Sequence, residues 1–430
     1  MVQKYVMSEL DSGARVISEH IASVRSVAIG FWIGAGSRDE TEAKAGVSHF
    51  IEHLLFKGSR VYSAQQIAEI FDGLGGELNA ATSREHTMVY ARVPDAHVQT
   101  ALNVMTDMVF APKFAELDAE RDVVLEEIAM YEDTPQELVH DLFSEAGFGQ
   151  HALGRPVIGN AQVISSVTRR VLSTYHRQMY AGGNVVIAAA GNVEHNKFVR
   201  MLHRAQSQQR PPAGRPRVRR PLLKSPPPGF RFAKKDTEQY HVCVGAPGIA
   251  RSDRRRFAAS ILDSILGGSA SSRLFQEIRE KRGMAYSVYS YASQYTDTGL
   301  VGIYVGTREE NLGPCVEIAA EQLADIAAGN LRPEEIARAK ENLKGRIMLS
   351  MESTSNRMSR LGKSLITDTE LLSFERIIAE LEAVEADEVA ELAGLLFAPE
   401  RLSISGIGPN ERVFRAAARR VNPSVLPRAA

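Results

Sequence analysis

Within GVSHFIEHLLFKGS, residues 46 to 59, three polar side chains interrupt an otherwise apolar run: His49, Glu52 and His53. Histidines four positions apart lie one turn apart on the same helical face, about 5–6 Å between Cβ atoms, so both imidazoles can reach one metal ion. Glu52, three positions after His49 and adjacent to His53, can turn its carboxylate toward the same centre. Three such groups are costly to bury without partners. A zinc ion offsets that cost, and in a hydrolytic site it takes three protein ligands and leaves one position open for water.

The third ligand is sought in AELDAERDVVLEEIAMYEDTPQELVHDLF, residues 115 to 143, which reads as a long helical segment. At the helical period Glu120, Val123, Val124, Glu127 and Tyr131 share one face, while Asp122, Glu126 and Asp133 fall on a more polar one. Glu127 is the better ligand, because an unpaired carboxylate on a half-apolar face is unfavourable. Glu120, two turns earlier, is placed to accept a hydrogen bond from a ligand histidine or to touch substrate. With zinc bound, a water of lowered pKa would lose its proton to Glu52 and attack a peptide carbonyl, and Glu52 would pass the proton to the leaving amine.

The elements that must hold these residues repeat along the chain. The 430 residues carry 51 basic and 52 acidic side chains, 44% hydrophobic residues and two cysteines, Cys243 and Cys315. That is ordinary globular material, long enough for two domains. The balanced charge argues against nucleic acid or an anionic membrane as partner. Two cysteines give neither a disulfide framework nor a thiolate metal cluster. No apolar run reaches the ~20 residues of a membrane span. The first twenty residues read as a strand and turn and lack the pattern of a secretion or transit signal, so a soluble cytoplasmic protein is expected.

Residues 208 to 230, rich in proline and arginine, read as a linker. The stretches on either side look alike. RSVAIGFWIGAGSRDE (25 to 40) has a counterpart in QYHVCVGAPGIARSD (239 to 253), and NVVIAAAGNVEHNKFVRML (184 to 202) in RLSISGIGPNERVFRAAARRV (401 to 421). This is a tandem duplication, with domains expected over 1–207 and 231–430. Each is expected to be an α+β unit, a mainly antiparallel sheet with helices packed on one face. Aligned at Ser59 and Ser269, the second copy puts Ala259, Leu262 and Asp263 opposite His49, Glu52 and His53, so the polar trio is not needed to build the fold. Gly76 to Thr82 reads as an edge strand, to which an extended peptide can add through main-chain hydrogen bonds.

HFIEH is the inverted zinc motif of the inverzincins. With Glu127 inside ERDVVLEE, the twofold repeat, and the segments GGELNAATSREHT and HALGRPVIG, the chain resembles the pitrilysin and insulin-degrading-enzyme family, most of all the branch of the mitochondrial processing peptidase and its bacterial homologues. The resemblance implies one zinc ion per chain held by His49, His53 and Glu127, Glu52 as catalytic base, and Glu120 as an additional glutamate needed for activity. It implies a substrate strand at Leu78, Asn79 and Ala80, continuing to Thr82, with His86 matching a site-lining position. Arg279 and Tyr286, flanking a glycine turn in RLFQEIREKRGMAYSV, resemble the family's substrate clamp. In its four-domain members that pair comes from the last domain, so a two-domain chain implies a homodimer in which the second domain acts in trans.

The function expected is zinc-dependent endopeptidase action on extended peptides or amino-terminal extensions. A catalytically silent scaffold or substrate-binding subunit of the same family is the alternative, and a non-peptidase metal hydrolase a third class. GAGSR and GLGG fit neither nucleotide-loop pattern.

Overall fold

The structure, a computed structural model, describes residues 5–207 and 226–426. Most of the expected linker, 208–225, lies outside the described residues, and strand structure resumes at Phe230. By internal contacts the described residues fall into two compact units. One takes the residues up to Ala129, the stretch from Pro156 to Ser207, and Met348–Ser373; the other takes Met130–Arg155, the stretch from Pro226 to Ile347, and Phe374 onward. The units are therefore interleaved along the chain, where the sequence reading divided it once.

The first half of the chain runs β1 (Tyr5–Glu9), β2 (Arg15–His20), β3 (Ser26–Ile33), α1 (Val47–Leu55), α2 (Ala64–Leu74), β4 (Glu77–Thr82), β5 (Thr87–Pro94), α3 (Val98–Phe110), α4 (Leu117–Glu132), α5 (Pro135–Phe148), α6 (Ala161–Ser166), α7 (Arg169–Met179), β6 (Val185–Gly191) and α8 (His195–Gln206). After the first strand and turn expected from the sequence, the chain returns as β2, which pairs antiparallel with β1 in a hairpin. The sheet order is β1-β2-β6-β3-β5-β4, antiparallel except for β2 beside β6. β4 is an edge strand, as expected.

Alternation in β3 shows why helices cover both faces of this sheet. Val27, Ile29, Phe31 and Ile33 point into a core shared with Phe50, Ile51 and Leu54 of α1, Leu102 and Met105 of α3, and Phe198 of α8. Ala28 and Trp32 point the other way, onto Met358 and Leu361. Those residues belong to α12 (Thr354–Ile366), a helix from the far half of the sequence.

The second half runs β7 (Phe230–Lys234), β8 (Tyr240–Gly248), α9 (Arg256–Leu266), a π-helical turn Phe275–Glu280, β9 (Ala285–Gln294), β10 (Gly299–Thr307), α10 (Glu309–Ala327), α11 (Pro333–Ser350), α12, α13 (Phe374–Ala383), α14 (Ala386–Leu396), β11 (Ser403–Gly408) and α15 (Glu411–Val421). Its sheet order β7-β11-β8-β10-β9 repeats five strands of the first, with β9 in the place of β4. One face carries a core that includes Ile261 and Leu262 of α9 and Phe414 of α15. The other is covered by Val139 and Phe143 of α5, which comes from the first half and packs on Cys243, Tyr304 and Ile407. The α+β class and the repeat stand. The arrangement with helices on one face is amended: each half of the sequence lends a helix to the outer face of the other half's sheet.

Candidate metal centre

α1 is fixed at its start by a carboxylate and a glycine. Its start is held by Glu40, a buried carboxylate whose Oε2 accepts from the Gly46 N–H at 2.8 Å and whose Oε1 accepts from the Ser48 N–H at 2.6 Å. Anion placement on the free N–H groups of a first helical turn is favoured by the helix dipole. Gly46 has φ +96°, and a Cβ there would meet the Ile158 carbonyl oxygen at 2.7 Å. The HALGRPVIG segment thus lies directly against the entry to the helix, which only glycine tolerates. Glu40 was not singled out in the sequence, because it sits in a loop where no periodicity marks it.

Apolar residues of α1 pack inward and leave His49 and His53 on the remaining face, their rings 4.6 Å apart. α4 brings Glu127 to them. Its Oε2 is 3.3 Å from His53 Nε2 and 3.8 Å from His49 Nε2, and the three ligand atoms lie within 4.8 Å of one another. Glu127 Oε2 and His49 Nδ1 are buried with no hydrogen-bond partner among the described residues. An unpartnered carboxylate oxygen facing two imidazole nitrogens is what a divalent cation would satisfy, so this donor set fits zinc. Burial, reinforced by the neighbouring His53, lowers the His49 pKa to about 4, which keeps its ring in the neutral form that ligates.

Glu120 is buried on α4 and accepts from His53 Nδ1 at 2.9 Å, while Lys57 Nζ lies 2.7 Å from its other oxygen. A contact with a histidine of the HFIEH motif is one of the two roles the sequence reading offered for Glu120, the other being contact with substrate. Of the apolar residues of α4, Val124 and Ile128 are buried, while Val123, which the helical period set on the same half-apolar face as Val124, is half exposed.

Glu52 faces the edge strand, where Thr82 Oγ1 donates to its Oε2 at 2.5 Å. Burial raises the Glu52 pKa, and the Thr82 hydrogen bond works in the opposite sense. The second unit keeps a parallel contact without the metal set. On α9, Asp263 stands where the repeat aligns it with His53 and accepts from Ser290 Oγ of β9 at 2.6 Å.

Of the expected substrate strand, Leu78 and Ala80 turn inward onto the core and Asn79 outward, and Asn79 Oδ1 accepts from the Ala80 N–H at 2.8 Å. His86, at the end of the β4–β5 turn, packs on Trp32 with ring centroids 5.1 Å apart. Arg279 and Tyr286 belong to the second unit and touch each other. The guanidinium lies 4.7 Å from the Phe275 ring centroid and 4.8 Å from that of Tyr286, and Tyr286 is 78% exposed.

Residues 15–161 match the sequence profile of insulinase, peptidase family M16, and residues 166–343 that of the peptidase M16 inactive domain. An uncharacterized zinc protease of Streptomyces coelicolor is 42% identical over 93% of this chain and 88% of its own. The uncharacterized zinc protease YmxG of Bacillus subtilis is 40% identical over 95% and 99%. A solved protease from Helicobacter pylori has the same fold, with TM-score 0.89 at 20% identity over 95% of this chain and 100% of that one. The peptidase M16 inactive domain from Pseudomonas fluorescens superposes with TM-score 0.87 at 23% identity, covering 95% and 98%. The chain belongs to peptidase family M16, the insulinase family. No helix among the described residues is long and apolar enough to cross a membrane.

Proposed function

We propose that the chain is a zinc-dependent endopeptidase acting on extended, unfolded peptides or amino-terminal extensions of proteins. The observation that carries this reading is the unpartnered Glu127 Oε2 facing His49 and His53, with the Glu52 carboxylate presented from the same helix. A zinc ion held by those three residues would supply the Lewis acid that polarises a scissile carbonyl and acidifies water.

The chain's own residues account for the rest. Glu52, held at Oε2 by Thr82, takes a proton from the attacking water at Oε1 and delivers it to the leaving nitrogen. β4 offers an open edge to the peptide main chain, where the incoming strand displaces the Asn79 side chain from the Ala80 N–H. Arg279 and Tyr286 act as donors to substrate carbonyls, brought to the zinc site of one subunit by the second unit of its partner in a two-fold homodimer. Buried, unpaired Cys243 and Cys315 suit a reducing cytoplasm.

The test is hydrolysis of a quenched-fluorescent peptide library by the wild type and by Glu52→Gln, with bound zinc quantified in both. Cleavage by the first and not the second, at equal zinc content, is expected. Zinc bound by both with cleavage by neither would end the peptidase reading. For the dimer, mixing inactive Glu52→Gln and Arg279→Ala proteins is expected to restore activity, and no recovery after proven subunit exchange would refute it.

A further inference from the structure

Lys57 directly follows the C-cap residue of α1, four positions beyond His53, and its ammonium reaches Glu120 Oε2 at 2.7 Å. Glu120 Oε1 meets His53 Nδ1 at 2.9 Å, so the two oxygens of one buried carboxylate link the lysine to the imidazole. We propose that Lys57 is a positioning residue of the metal centre: it fixes the Glu120 carboxylate so that His53 holds its proton on Nδ1 and turns Nε2 to the metal. The proposal rests on the metal-centre reading given above.

An ionised carboxylate can only accept, so with Glu120 in place the Nδ1 of His53 is the donor and Nε2 keeps the lone pair that ligates. The terminal torsion of a glutamate is broad and two-fold, and one contact does not define it. Lys57 supplies the second anchor. The arrangement matters more here because the other ligand histidine has no such support: His49 Nδ1 is buried without a hydrogen-bond partner among the described residues. His53 is the imidazole whose orientation is set by a hydrogen bond, and Lys57 stands behind that bond.

A bland role competes with this one. A cation beside the last turn of a helix is favoured by the helix dipole whatever else it touches, and the Lys57 side chain is 31% exposed. The two roles differ in what a substitution changes. Loss of a dipole contact lowers stability alone, whereas loss of the anchor alters zinc affinity and the His53 tautomer.

The experiment compares full-length wild type, Lys57→Met and Lys57→Arg, with Lys57→Gln substituted should the methionine variant not fold. Zinc affinity is read by chelator competition, and the His53 tautomer by ¹⁵N NMR of the metal-free proteins. Removing the hydrogen-bonded partner of a metal ligand commonly weakens affinity by about 10- to 100-fold; Lys57 stands one step behind that partner, so Lys57→Met is expected to bind zinc about five- to tenfold more weakly, with a smaller share of the Nδ1–H tautomer. Lys57→Arg is expected to recover most of both. A methionine variant with zinc affinity within about twofold of wild type and an unchanged tautomer overturns the proposal, even if it is less stable. A wild type that binds no zinc would refute the metal centre itself; the tautomer comparison, which needs no metal, would then decide the role of Lys57.

Discussion

Thr82 Oγ1 donates to Glu52 Oε2, so a residue at the end of the edge strand holds the carboxylate proposed as the base. The strand proposed to receive the peptide and the group proposed to move the proton are thereby registered to each other. Thr82→Val keeps the shape and removes the hydroxyl. It is expected to lower kcat by about tenfold, the worth of one hydrogen bond to a charged group, with KM and zinc content little changed. Thr82→Ser is expected to restore the rate. A rise in KM at constant kcat would assign Thr82 to substrate binding.

Metal removal is expected to destabilise the first unit. A ligand bound to the folded state adds RT ln(1 + [L]/Kd), about 2.7 kcal/mol at a hundredfold excess over Kd. Chelation of the wild type is therefore expected to lower the unfolding midpoint, and chelation of His49→Ala or Glu127→Gln to leave it where it is. Calorimetry with and without chelator checks this, and equal shifts in all three proteins would argue against these ligands.

Glu40 carries two hydrogen bonds to the first turn of α1, and its removal leaves two buried N–H groups without an acceptor. Glu40→Ala is expected to cost about 1–3 kcal/mol, measured by denaturant titration, and to weaken zinc binding because the start of the histidine helix is released.

Acid is expected to destabilise the fold below neutrality. Burial lowers the pKa of His176 to about 4, with its Nε2–H donating to the Val109 carbonyl, and burial likewise lowers that of His140 to about 4. Between pH 6.5 and 4 the unfolded chain binds protons that these folded sites refuse, so stability is full above the ordinary histidine value and falls with pH through that window. Unfolding midpoints measured from pH 7 to 4.5 are expected to decline, and His176→Gln to flatten the decline while lowering the value at pH 7.

Much of this centre is legible in the sequence because a helix is a ruler. The spacing of His49, Glu52 and His53, and of Glu120 and Glu127, gives faces directly, and the glycine and alternation that follow α2 give the strand. Val123 marks the limit: period alone spreads a face over a wide arc, and packing of Val124 and Ile128 at its centre leaves Val123 half exposed. Lys57 was within reach of the same ruler, four positions after His53, but its chemistry depends on Glu120 of another helix. Glu40 had no such signal. The exchange of α5 and α12 was illegible for a different reason, since an apolar stripe on a helix does not say which of two similar sheets it will meet.

That exchange bears on what half of the coding sequence can specify. A product ending at residue 207 lacks Met358 and Leu361, and leaves Ala28, Trp32 and Val186 bare on one side of its sheet; the complementary product lacks Val139 and Phe143 over Cys243 and Tyr304. Made separately, the two halves are expected to precipitate, and made together in one cell to co-purify. A cut between the two copies is thus no cut between two folds: each copy carries a helix that covers its sibling's sheet.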